Sequence, residues 1–148
     1  MADELVRWSQ QYALGLDEID EQHRVLIVLI NDIWKAIVKR EDKTKLFELV
    51  GELEKYTIAH FAAEEAFMRV TDYPGFPQHK IAHQKFVDRV AKERQLAVEQ
   101  GVLSLDLMYF LRDWLIDHIL MSDKAYVENT KRAKAKEGGL LSRFFGRR

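Results

Sequence analysis

The sequence contains no cysteine, which removes disulfides, thiolate metal sites and cysteine nucleophiles together. The usual ligands of structural zinc and of iron–sulfur clusters go with it. Metal chemistry is left to imidazole and carboxylate, a donor pair that suits iron, copper, zinc or manganese. Proline occurs twice and glycine seven times in 148 residues, too few to punctuate a chain of short elements, so long uninterrupted ones are expected. No apolar run is long enough to span a bilayer, and the opening Met-Ala-Asp-Glu-Leu lacks the basic-then-apolar pattern of a signal sequence. These two absences carry the expectation of a cytoplasmic protein.

What is present fits a single domain with one proper core. Hydrophobic residues make up 47% and charged residues 32%, the balance of a globular chain. The net charge of −1 conceals an asymmetry. From Lys131 to Arg148 seven basic residues face one acid, so that segment carries +6 and the body −7. An acidic body speaks against nucleic-acid binding.

Four stretches carry apolar residues or histidines at three- and four-residue spacing, the period of a helix face. The first runs through positions 19, 23, 26, 27, 30, 33, 34 and 37. A second takes in Leu46, Leu49, Val50, Leu53, Tyr56, His60, Glu64 and Phe67. The third opens at Pro77, a residue favoured in a first helical turn, and includes His79, His83, Phe86, Val90 and Ala97. The fourth follows Ser104, a candidate cap, and runs Leu107, Phe110, Leu111, Trp114, His118, Met121 and Ala125. Short breaks separate them, which predicts antiparallel neighbours: an all-α, up-down-up-down four-helix bundle. The expected domain spans 1–133, with an N-terminal arm over 1–17 carrying Trp8 and Tyr12, and a basic, apolar tail over 134–148. No strand pattern and no internal repeat is visible.

All five histidines, His23, His60, His79, His83 and His118, fall on these inward stripes. A stripe covers about a third of a helix, so chance placement of five is about one in 240. A buried neutral histidine must also find partners for both ring nitrogens, so five of them together point to a metal. His60 and Glu64, like His79 and His83, stand four apart and share a helix face. His118 and Asp123 stand five apart, which an ideal helix would splay by about 140°. A local π-type widening would reunite them, and on that ground Asp123 is preferred to its competitor Asp117. Lys80 occupies the place of the glutamate in H-E-x-x-H, which argues against a zincin protease. The sequence also contains no E-x-x-H, the repeated motif of the ferritin-like carboxylate proteins.

With these residues assembled, positions 6–130 resemble the hemerythrins, and among them the single-domain bacteriohemerythrins. The likeness rests on Trp8, Tyr12 and Gly15 of the arm, Ile19-Asp20-Glu21-Gln22-His23, His60-x3-Glu64-Glu65, Tyr73-Pro74-x4-His79-x3-His83 and Trp114-Leu115-x2-His118-x4-Asp123. The resemblance implies two non-haem irons per chain. His79, His83 and His118 would hold one and His23 and His60 the other, with Glu64, Asp123 and a solvent-derived oxygen as bridges. Two octahedral ions offer about twelve positions, and this set leaves one open, on the ion with two histidines. Reversible dioxygen binding there, as a carrier, store or delivery protein, is the implied function. Trp114, Leu115 and Ile119 would line the oxygen pocket and keep it dry. The competing readings are a di-iron oxidase or peroxidase, an oxygen or redox sensor acting through a separate partner, and an iron buffer. The tail mixes four large apolar residues with three arginines over Leu140–Arg148. Such a mixture can attach weakly to an anionic membrane surface or an acidic protein, and a solvated terminus is the plain alternative. A monomer is expected.

Overall fold

A computed structural model describes residues 4–132 of the chain. The tail expected over 134–148 lies outside the described residues. Helix α1 spans Asp17–Val38, α2 Lys43–Val70 and α3 Phe76–Gln100. The fourth rod begins as α4, Leu105–Asp117, widens into a π-helical segment over His118–Asp123, and is α-helical again over 124–132. No strand occurs among the described residues. The rods pack as a ring, α1 on α2, α2 on α3, and α4 on both α3 and α1. This is the antiparallel four-helix bundle that the stripes and short breaks predict.

Local chemistry sets where each rod starts and stops. Asp42 caps α2 by accepting from the Lys45 amide at 2.9 Å, and Ser104 caps α4 by accepting from the Asp106 amide at 3.0 Å. Helix α1 has no side-chain cap, but Asp17, Glu18 and Asp20 place negative charge in its first turn, where the helix dipole favours it. Pro77 sits in the first turn of α3, whose far end stops at Gly101 in the left-handed conformation, φ 77°. Helix α2, 28 residues, is roughly 42 Å long at 1.5 Å per residue.

The inward faces supply a core that includes Ile19, Ile30, Ile33, Val50, Leu53, Met68, Val90, Leu107, Met108 and Leu111. The arm closes one flank of it, burying Val6, Tyr12 and Leu14. Its backbone is tied down by two buried polar side chains. Asn31 Oδ1 accepts from the amides of Leu5 and Val6, and Asn31 Nδ2 donates to the Val6 carbonyl. Asp20 accepts from the amides of Leu14 and Gly15, while the Lys131 ammonium donates to the Leu14 carbonyl at 2.7 Å. Gly15 has φ 88°, and a Cβ there would collide with that ammonium.

One stretch departs from the sequence reading. Met121 and Ala125, placed on the fourth inward stripe, are exposed, Met121 by 73%. The π turn is the cause. Lys124 donates its amide to the Ile119 carbonyl, five residues back, so the inward face advances by one position. Asp123, Tyr126, Val127 and Thr130 face the core in place of the expected pair.

Candidate metal centre

Each rod delivers candidate metal donors to the middle of the bundle. Helix α1 contributes His23, α2 contributes His60 and Glu64, α3 contributes His79 and His83, and the fourth rod contributes His118 and Asp123. All seven are buried. Donor atoms of Glu64, His79, His83, His118 and Asp123 lie within 4.8 Å of one another, and so do those of His23, His60, Glu64 and Asp123. The two groups share both carboxylates and no histidine. Asp117, the competing acid, is exposed and outside both groups.

The oxygens of each carboxylate are divided between the two groups. Glu64 turns Oε2 toward His60 Nε2 at 3.1 Å and His23 Nε2 at 3.3 Å, and Oε1 toward His83 Nε2 at 3.2 Å. Asp123 turns Oδ2 toward His23 Nε2 at 3.0 Å, and Oδ1 toward His79 Nε2 at 3.0 Å and His118 Nε2 at 3.1 Å. His118 Nε2 stands 2.9 Å from His79 Nε2 and 3.1 Å from His83 Nε2. Three imidazole nitrogens converging in this way cannot satisfy one another with hydrogen bonds. Two donors held at right angles by one ion, at about 2.1 Å each, lie about 3.0 Å apart, which matches the observed spacing. Glu64 Oε1 and both Asp123 oxygens are buried without a hydrogen-bond donor in acceptable geometry. Orphaned, charged acceptors at this depth are costly unless a cation serves them. The residues therefore fit a pair of metal ions.

Electrostatics point the same way. Burial opposes charging of His23, but the carboxylates of Asp123 and Glu64 beside it outweigh that and push the imidazole up to about 9. His83 is likewise raised against the cost of burial, by Glu64 and then Glu65. Burial favours the neutral form of both acids, and Glu64 further disfavours a charge on Asp123. The imidazoles around them nonetheless hold both carboxyls below their usual range. Buried carboxylates thus draw positive charge into the cluster, and protons and metal ions compete for the same donors.

A further ring of residues orients the ligands. His60 donates from Nδ1 to Gln22 Oε1 at 2.6 Å, and His83 donates from Nδ1 to Glu65 Oε2 at 3.0 Å. The Tyr126 hydroxyl, fully buried, donates to Glu64 Oε2 at 3.1 Å. Burial, followed by the charges of Glu64 and Asp123, raises the Tyr126 phenol far above its ordinary value, so it stays a donor. Phe61 lies flat on His83, 3.7 Å between ring centroids. Sequence reasoning assigned none of these four a role. Gln22 and Glu65 are neighbours in sequence of the ligands His23 and Glu64, and a residue one step along a helix points about 100° away. They serve histidines on adjacent helices, a pairing that only the packed bundle creates. For Tyr126 the available signal was its place three residues after Asp123.

Of the expected pocket residues, Leu115 and Ile119 are buried in the core, 4% and 0% exposed. Trp114 is half-buried and stacks on the His118 ring, centroids 4.3 Å apart and planes 12° apart. It also meets Phe61 and Phe86. Trp114 thus covers the three-histidine side.

Comparison with known proteins agrees with this geometry. The sequence model of the hemerythrin HHE cation-binding domain matches residues 14–128. The chain is 33% identical to a bacteriohemerythrin of Stenotrophomonas maltophilia, over 96% of this chain and 99% of that one. It is 30% identical to a myohemerythrin of Riftia pachyptila, over 82% and 91% respectively. The crystal structure of a wild-type hemerythrin superposes with a TM-score of 0.77 at 26% identity, covering 85% of this chain and 98% of that one. These likenesses, with which the seven buried donors and their two shared carboxylates agree, establish that the chain belongs to the hemerythrin family.

Proposed function

We propose that the chain binds dioxygen reversibly at a non-haem di-iron centre, as an oxygen carrier, store or delivery protein and not as an enzyme. The observation that carries this reading is the division of each carboxylate between two donor groups, one with three imidazoles and one with two. His79, His83 and His118 would hold one ion, His23 and His60 the other, with Glu64 and Asp123 shared between them. A ferrous pair held there would supply the two electrons that dioxygen takes up on binding. The protein's part is to fix the donors and keep the surroundings dry. Leu115 and Ile119 form an apolar wall, and Trp114 shields the His118 ring. Excluding water from the cluster as a whole would slow loss of the oxygen-loaded state to an inert diferric one.

Gas titration of the anaerobic ferrous protein tests this. One dioxygen per chain, taken up in proportion to two irons, is the expected result. In the same titration Leu115→Ala and Trp114→Ala keep that stoichiometry but shorten the lifetime of the oxygen-loaded protein. Uptake unrelated to iron content would remove the function, and unchanged lifetimes would return both residues to ordinary core.

We further propose that the bundle domain ends near residue 133, works as a monomer in the cytoplasm without binding nucleic acid, and carries a tail that docks weakly to an anionic membrane surface or an acidic protein. No helix among the described residues is long and apolar enough to cross a membrane. The arginines and apolar residues of the tail support attachment that high salt abolishes. Co-sedimentation with anionic vesicles, comparing the full chain with a truncation after Glu137, checks it. Equal binding by both forms would exclude the tail.

A further inference from the structure

The hydrogen bonds behind the ligands are not alike on the two sides of the cluster. On the three-histidine side, His83 donates from Nδ1 to a carboxylate, Glu65. A charged acceptor behind an imidazole makes the ring a stronger donor to its metal. On the two-histidine side, His60 donates to the neutral amide oxygen of Gln22, and His23 Nδ1 is buried without any hydrogen-bond partner. The bridge is also uneven. Glu64 Oε2, which faces His23 and His60, accepts the Tyr126 hydroxyl, whereas Oε1, which faces His83, accepts no hydrogen bond of acceptable geometry. A donated hydrogen bond draws charge from the oxygen that receives it and weakens it as a ligand. Glu65, Gln22 and Tyr126 therefore act in one direction.

From this asymmetry we infer that Glu65, Gln22 and Tyr126 are positioning residues that make the two irons unequal: the three-histidine ion is held by the stronger donors, and the two-histidine ion is electron-poor and the more labile. The inference rests on the dinuclear reading above. It adds that the inequality exceeds a simple count of histidines, because it is written into three side chains that touch no metal. An electron-poor ferrous ion would give up electrons to dioxygen less readily, so the same three residues would tune how tightly oxygen is held.

Chelator challenge of the full-length protein, loaded anaerobically with ferrous iron, tests this without using oxygen. The wild type should release two irons in two phases of one equivalent each. Glu65→Gln, which removes only the charge behind His83, should speed the slow phase by about 10-fold, a typical cost of losing such a partner, and leave the fast phase alone. Gln22→Glu and Tyr126→Phe should each slow the fast phase by a similar factor. A loosened fold would speed both phases, so slowing in two of the three variants is a signature that structural damage does not mimic. Release of both irons in one phase from the wild type, or variants that speed both phases or change neither, would overturn the inference. A protein that loads fewer than two irons would instead remove the dinuclear reading itself, and this inference with it.

Discussion

Glu64 is the residue on which most of the site depends. It is fully buried, it faces imidazoles of both donor groups, and it accepts the Tyr126 hydroxyl. His79, by contrast, belongs to one group only. The two substitutions should differ in kind. Glu64→Ala should lower retention of both irons, whereas His79→Ala should weaken one and spare the other, each measured as metal per folded chain after dialysis. Normal iron retention in Glu64→Ala would contradict a bridging role. At this scale the clustering of the seven donors was legible in the sequence because histidine is rarely placed on an apolar stripe without a partner. Gln22 and Glu65 were not legible as partners. Their value depends on how far α1 is rotated against α2, and α2 against α3, which no single-helix pattern encodes.

Among the elements, the π segment separates what periodicity can read from what it cannot. Strict α periodicity carried the fourth stripe through Met121 and Ala125, yet the five-residue gap between His118 and Asp123 already required a wider turn. The gap was the better guide, since the i to i+5 bond that joins Lys124 to Ile119 brings residues five apart together as an α turn does residues four apart. Met121, 73% exposed, is the extra residue of that turn. Deleting it should convert the segment to plain α-helix while leaving His118 four residues from the aspartate and Tyr126, Val127 and Thr130 still facing the core. The deletion variant should fold and retain two irons. Loss of iron, or a collapsed melting transition, would show that the π geometry itself is required. The same widening explains why the sequence reading found Asp123 but missed Tyr126.

Across the whole molecule, the bundle was legible from spacing, caps and short breaks, because helix faces and their ends are local properties. The way the arm is fastened was not, since Asn31 carries no sequence signal and Asp20 stands out only as part of the motif Ile19–His23. Asp20 binds the amides of Leu14 and Gly15, and the same turn accepts Lys131 from the fourth rod. Asp20→Ala leaves two backbone donors without an acceptor and should lower stability by about 2 kcal/mol. That would appear as a lower denaturant midpoint at unchanged slope, and an unchanged midpoint would show that the arm is not fastened there. Oxygen binding is the property for which all these scales combine, and one cycle tests it most directly. Dioxygen is added to the anaerobic ferrous protein and then withdrawn, with the absorption spectrum followed throughout. A new spectrum on addition and return of the starting spectrum on withdrawal, over repeated cycles, is the predicted result. Steady consumption of dioxygen with reductant present, or a spectrum that never returns, would contradict it.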